Sequence, residues 1–151
     1  MSYYTKFSTL FIALVAQLLA KGADPNGEGR KGEASPLWRA CTWHLKIPHL
    51  ELARLLLGAG ADVNGGPLGG GEETPLHRAA MTGNLALVQL LVESGAALNE
   101  RDSDGMAPLK LAQERLGNPG TEMEARHQVV VDFLVSKGCE PYGLPPCKAE
   151  S

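Results

Sequence analysis

The sequence predicts an all-α protein in which antiparallel helix pairs stack one on the next. Three observations predict it. Hydrophobic residues make up 44% of the 151 residues but aromatics only 5%, so the core is built from Leu, Val and Ala. Those side chains suit closely packed helices better than a large β-sandwich, which favours aromatic and β-branched residues. The stretch ETPLHRAAMTGNLALVQLLVESGAALN, residues 73–99, holds two short helical patterns, each closed by a glycine. That stretch also recurs along the chain, and fixed-period recurrence is the mark of a repeat architecture.

Four segments align at their ends. FIALVAQLLAKGADPN closes at Asn26, LELARLLLGAGADVN at Asn64, LALVQLLVESGAALN at Asn99 and VVVDFLVSKGCEP at Pro141. Each has paired apolar residues, a short polar gap and a glycine; Gly22, Gly60, Gly95 and Gly138 lie 38, 35 and 43 residues apart. A second series runs upstream of the last three: SPLWRAC from Ser35, TPLHRAA from Thr74 and APLKLAQ from Ala107. In the best-formed unit, Thr74 is a good N-cap, and Pro75 suits the first helical position, where its missing N–H would have no partner anyway. Ala79 and Ala80 let a neighbouring helix approach, and Gly83 stops the first helix. Leu87, Val88, Leu90 and Leu91 make the apolar stripe of a second helix. Gly95 supplies a left-handed stop. Two such helices cannot bury both apolar faces alone, whereas stacked units can.

TPLH-x-AA-x-x-G followed by LL-x-x-x-GA-x-x-N resembles the ankyrin repeat. LLLGAGADVN at Leu55–Asn64 and DSDGMAPL at Asp102–Leu109 match its other half, so the resemblance covers about nine-tenths of the chain. Two motif series in constant order make it specific; a lone TPLH would be weak. The resemblance implies an ankyrin-repeat α-solenoid, with a β-turn finger projecting at roughly right angles from each antiparallel helix pair and the units packed in register into a curved slab.

A single domain is expected over residues 1–140, in units of about 1–26, 27–64, 65–99 and 100–140, with 141–151 as a Pro-rich tail. Register places the first helix of unit one at Met1–Leu10 and its second at Ile12–Lys21. The motif itself is lost there, as terminal repeats with one side facing water allow. Unit two inserts four residues after SPLWRAC relative to unit three, and Trp38 replaces the motif histidine. Gly65–Thr74, GGPLGGGEET, is a widened finger between units two and three. Unit four is ten residues wider than unit three. Its Gly117, Asn118, Pro119 and Gly120 form a breaker cluster, so a longer inter-helix loop is expected. Beyond it, Thr121 and Glu124 form a capping box that starts the second helix early.

No residue set demands chemistry. His77 lacks partners at metal-ligand or proton-relay spacing, and the resemblance gives it a structural role instead, a hydrogen bond to backbone between units. His44 and His49 are not at HExxH spacing, and His127 is isolated. ERDSDG at Glu100–Gly105 is close to a calcium loop in composition, but with Gly105 sixth the twelfth residue is Leu111, where a bidentate Glu is needed. A finger turn formed by Asp102 and Gly105 fits better. The glycine-rich finger has no GK[ST] and follows no strand, which argues against a phosphate cradle. Cys41 occupies the position of core Ala80 and is expected to be an inert buried thiol. No catalytic, metal or cofactor residues are expected.

The remaining totals bear on partners and compartment. Net charge −3 and pI near 5.8 argue against nucleic acid, which wants a basic stripe. Three cysteines without a CxxC pair are too few for a disulfide framework, though Cys139 and Cys147 could pair in an exported protein. FSTLFIALVA after Lys6 has the length of a signal h-region and is too short to span a bilayer. It has one lysine ahead of it and no clean cleavage site, so a degenerate cap in a monomeric, cytoplasmic protein is favoured over a leader. The resemblance implies that another protein is bound by finger tips and the exposed side of the first helices. Carried over residue by residue, these are Arg30, Lys31, Glu33, Ala34, Thr42 and Trp43 in unit two; Glu73, Met81 and Thr82 in unit three; and Arg101, Ser103, Asp104, Met106, Glu114 and Arg115 in unit four. Trp43 is either an interface anchor or an aromatic covering the core over the unit-two insertion. The expected function is a non-catalytic protein-binding module. Inhibition of a partner enzyme or toxin is the alternative, and a ligand-binding or enzymatic site at the Gly-rich finger or under the unit-four insertion is the rival from another class.

Overall fold

In a computed structural model of the chain, residues 3–27, 34–42, 49–67, 73–117 and 120–139 are described. They form helices α1 (Tyr3–Ala20), α2 (Pro36–Thr42), α3 (His49–Gly58), α4 (Pro75–Thr82), α5 (Leu85–Glu93), α6 (Pro108–Glu114) and α7 (Glu122–Ser136). The only strand-like pairing among these residues is an isolated antiparallel bridge between Ala34 and Pro67. Helices α2, α4 and α6 stack side by side as an inner row, while α1, α3, α5 and α7 form an outer row. Each inner helix also packs on the outer helix that follows it: α2 on α3, α4 on α5 and α6 on α7.

The repeated residues cause the repeated geometry. Leu37, Leu76 and Leu109 are buried at equivalent places in the inner row, and Leu56, Leu91 and Leu134 in the outer row. Ala40, Ala79, Ala80 and Ala112 are buried between helices, where a larger side chain would hold them apart. Each outer helix ends alike. Gly22, Gly60, Gly95 and Gly138 take φ of 90°, 91°, 90° and 87°. The next N–H in each case, from Ala23, Ala61, Ala96 or Cys139, donates five residues back to Leu18, Leu56, Leu91 or Leu134 O at 3.0, 2.9, 3.0 and 3.1 Å. This left-handed cap uses up carbonyls the helix cannot pair.

Unit one departs from the expectation. The two helices placed at Met1–Leu10 and Ile12–Lys21 are one continuous helix, α1. The turn of unit three is made by Gly83 and Asn84; the positions in register with them here are Leu10 and Phe11, and no glycine or proline interrupts Tyr3–Ala20. Nothing breaks the backbone, so helix propagates through. In unit four α6 stops at Glu114 and α7 starts at Glu122, 15 residues long against 9 in α5; Asn118 and Pro119 of the expected breaker cluster lie outside the described residues. The Thr121 hydroxyl accepts from Glu124 N at 3.2 Å. The Glu124 carboxylate returns to Gly120 N, one residue ahead of the usual capping-box partner.

Candidate protein-binding surface

The fingers are tied to one another by side chains whose polar atoms bond to the neighbouring unit. Asn26 Oδ1 accepts from Asp62 N at 2.7 Å, and Asn64 Oδ1 accepts from Ala97 N at 2.9 Å. The asparagine that closes each of these motifs is therefore the rung to the next finger. Within a finger, Asp24 and Asp62 accept from the amides of Asn26 and Asn64. Asp102 Oδ1 takes two amides, from Asp104 at 3.0 Å and Met106 at 2.8 Å, and Gly105 N closes the turn on Asp102 O at 2.8 Å. The Asp102 carboxylate is thus engaged in shaping a turn, as expected.

His77 is fully buried and links unit three to unit four. Its Nδ1 accepts from Thr74 N at 3.1 Å with the Thr74 hydroxyl 2.8 Å away, and its Nε2 lies 2.9 Å from Met106 O. With Nδ1 accepting from an amide, Nε2 carries the proton donated to Met106. One unit earlier Ser35 makes the equivalent link. Its hydroxyl accepts from Trp38 N and donates to Gly65 O at 2.5 Å. Trp38, in place of the histidine, makes no such bond, and its Nε1 is buried without a partner.

The expected partner-binding residues fall into three groups. At the unit-four finger, Ser103 and Asp104 are exposed at the tip, Arg101 donates to Gly105 O at 2.9 Å, and Met106 is half-buried. On the inner helices, Met81 and Arg115 come together across a unit boundary, Arg115 Nη2 lying 3.4 Å from Met81 Sδ. Beside them, Glu114 is exposed and pairs with Lys110 at 3.8 Å, and the Thr82 hydroxyl donates to Ala79 O. In unit two, Thr42 is half-buried and bonds Trp38 O within its own helix, and Ala34 makes the bridge to Pro67. Arg30, Lys31, Glu33 and Trp43 lie outside the described residues, as do residues 68–72 of the Gly-rich finger and the tail with Cys147.

Arg78 is a half-buried residue that the sequence did not single out, its Nε enclosed without a partner. It spans the step between units two and three: its guanidinium stands 4.6 Å over the Trp38 ring and pairs with Glu73 at 2.7 Å. Trp38 in place of a motif histidine, with an arginine at the next unit's following position, was the available signal. His127, isolated in sequence, is fully buried. Its Nδ1 is 2.8 Å from Met123 O and its Nε2 is 3.0 Å from Met81 O, so it joins α7 to the end of α4. Cys41 is buried, and burial pushes its thiol up to about 12. Burial likewise raises free Cys139 to about 11. Both therefore stay as unreactive neutral thiols at neutral pH.

A cleft of about 590 Å³ opens between the fingers of units two and three, with Asn26, Ser35, Asp62, Asn64 and Thr74 in its lining. Their polar atoms already hold the fingers together, so the cleft is framed by structural hydrogen bonds. Among the described residues, no three His, Cys, Asp or Glu side chains gather as a metal site, and no helix is long and apolar enough to cross a membrane.

Comparison with known proteins agrees with this geometry. Ankyrin repeats, in three copies, match residues 48–143. The chain is similar to human Cyclin-dependent kinase 4 inhibitor B, 38% identical over 101 residues, which are 67% of this chain and 68% of that protein. It is similar to Cyclin-dependent kinase inhibitor 2A of Monodelphis domestica, 35% identical over 121 residues, 80% of this chain and 61% of the relative. It is also 37% identical over 83 residues to E3 ubiquitin-protein ligase Ufd4 of Drosophila melanogaster, 55% of this chain but 3% of that protein.

Proposed function

The chain belongs to the ankyrin repeat family, and on that premise we propose that it acts without chemistry of its own, by seating a partner protein against its finger tips and the exposed side of its inner helices. The observation that carries this is the row of cross-unit hydrogen bonds made by Asn26, Ser35, Asn64 and His77. They fix each finger relative to the next, so the surface is presented already ordered. Less conformational entropy is then lost on binding, and more of the contact energy appears as affinity. A standard specific interface buries about 1,600 Å². Arg101, Ser103, Asp104 and Met106 supply the finger contacts, and Glu73, Met81, Thr82, Glu114 and Arg115 the helix contacts. The family resemblance assigns Arg30, Lys31, Glu33 and Trp43 the corresponding contacts of unit two. The protein is monomeric and cytoplasmic in this reading.

A more specific reading is inhibition of a partner enzyme. The similarity to two cyclin-dependent kinase inhibitors runs over 68% and 61% of their lengths, so in those proteins the matched repeats form most of the molecule. Titrating the chain into a cyclin-dependent kinase 4 assay tests it. Activity is expected to fall with protein concentration, and a Met81→Ala/Arg115→Ala variant is expected to need at least about tenfold more protein, the loss of about 1.4 kcal/mol. Unchanged kinase activity at saturating protein removes this class of target. Binding to any partner that survives Arg101→Ala, Met106→Ala and Met81→Ala/Arg115→Ala at unaltered affinity removes the assigned surface.

A further inference from the structure

Among the described residues, the outer helix of the first unit carries core-register residues that no inner helix covers. Counted back from the capping glycines, Leu14 stands level with Leu52, Leu87 and Val130, and Leu18 with Leu56, Leu91 and Leu134; Leu52 is half-buried against the core. Leu87, Val130, Leu91 and Leu134 are at most 1% exposed and Leu56 is 3%, whereas Leu14 is 54% and Leu18 49% exposed. Leu10 and Phe11 continue the bare stripe toward the start of the helix. In the later units the inner helix of the same pair covers these places: α2 covers α3, α4 covers α5 and α6 covers α7. Helix α1 packs chiefly on α3, and the residues that register assigns to its inner partner are the first half of α1 itself.

We propose that the open side of α1 is a docking groove for one short helix of another protein. Its occupant has the chemistry of an inner helix: two turns long, as α2, α4 and α6 are at 7, 8 and 7 residues, with an uncharged Leu/Ala face. Continuity of the inner row argues for this occupant. A helix beside α1 meets α2 as α2 meets α4, extending the existing stack by one place. Charge agrees, because Phe7–Ala20 contains no charged residue and offers nothing to a salt-bridging partner. A second copy fits less well. The bare stripe from Leu10 to Leu18 runs about 12 Å along the helix, and pairing two such stripes across a two-fold axis falls well short of the roughly 800 Å² each partner brings to a stable association.

The probe is the chain's own inner helix with its flanks, Glu73–Asn84 (ETPLHRAAMTGN). It is used in two forms: fused ahead of Met1 of the full chain through a Gly/Ser linker, which raises its effective concentration to about millimolar, and as a free helix-stapled peptide carrying a fluorophore. The fusion is expected to melt at least about 4 °C above both the unmodified chain and a fusion carrying the same residues scrambled. Leu18→Glu, at an exposed site that leaves the circular dichroism of the unfused chain unchanged, is expected to abolish that gain. The free peptide is expected to bind the unmodified chain, at least tenfold more weakly to Leu18→Glu, and equally to Val129→Glu at an exposed site of α7. No gain in melting temperature together with no peptide binding overturns the proposal, as does binding indifferent to Leu18→Glu. Concentration-dependent dimers in sedimentation that Leu18→Glu abolishes also overturn it, by giving the groove to a second copy. None of these readouts involves the finger surface, so failure here leaves the proposed function standing.

Discussion

Gly83 and His127 meet where a unit of ordinary length joins the widened one. Gly83 ends α4 at φ 67°, and a Cβ there would stand 3.0 to 3.2 Å from three atoms of the buried His127 ring. Gly95 has φ 90° with nothing within 4 Å of its would-be Cβ. An alanine at either site carries the left-handed penalty of about 1–2 kcal/mol. Gly83→Ala alone also overpacks the ring, and is expected to cost about 1 kcal/mol more than Gly95→Ala in urea unfolding. In a His127→Ala background that excess should disappear, because the atoms it presses on are gone. Equal losses for the two glycines would show that the ring has room to move. Cys41 gives a prediction in pH. Burial raises its thiol from 9.0 to about 12, so the folded state holds a proton that the unfolded state releases. That contribution to stability is complete below pH 9 and is lost as pH rises from there through about 12. Cys41→Ala, which installs the residue found at the equivalent Ala80, is expected to cost no more than about 1 kcal/mol at neutral pH. It should also flatten the alkaline fall of the urea midpoint. A variant with the wild-type alkaline slope would place that loss elsewhere, with Cys139 the next thiol to test.

At the scale of elements, what the sequence made legible was whatever backbone punctuation writes down. Thr74-Pro75, Gly83, the four capping glycines and the Thr121–Glu124 pair are local signals, and each ends or begins a helix where expected. Thr121→Ala removes the hydroxyl that takes Glu124 N and is expected to destabilise the fold by about 1 kcal/mol, read as a shift of the urea midpoint without a change of slope. No shift would mean that the early start of α7 is held by packing alone. What was illegible had no local signal. The partners of His127 are the carbonyls of Met123 and Met81, and every residue has a carbonyl, so no spacing of side chains reveals the bond. Aligning Gly138 with Gly95 does put His127 level with Asn84, the N-cap of α5, and so facing the end of α4. Register alone divides α1 into a pair, but register does not make a turn. Leu10 and Phe11 favour continuing a helix, and without a breaker they do. The candidate surface was legible only as positions. That Met81 meets Arg115, and that Arg78 reaches the Trp38 ring, are contacts between units, set by how far one unit translates to the next.

At the scale of the molecule, a stack in which each unit touches only its neighbours has stability that varies along its length. Equivalent residues therefore need not be worth equal amounts. Leu18 and Leu91 occupy the same register position, four residues before the capping glycine, and both accept the same backbone hydrogen bond at 3.0 Å. They differ in what surrounds them: α4 and the neighbouring outer helices enclose Leu91, while one side of Leu18 faces water. Leu91→Ala is expected to cost about 2.7–5 kcal/mol, the range for emptying a packed leucine site. Leu18→Ala removes a side chain already half in water, leaves no closed cavity and is expected to cost no more than about 1 kcal/mol. Hydrogen exchange should show the same gradient without mutation. Amides of α4 and α5, flanked on both sides, should be the most protected, and those of α1, supported chiefly by α3, should open first. Equal protection across α1 and α5 would mean that the stack unfolds as one unit, and that the link from Asn26 to Asp62 couples the first unit more tightly than the packing of its leucines does.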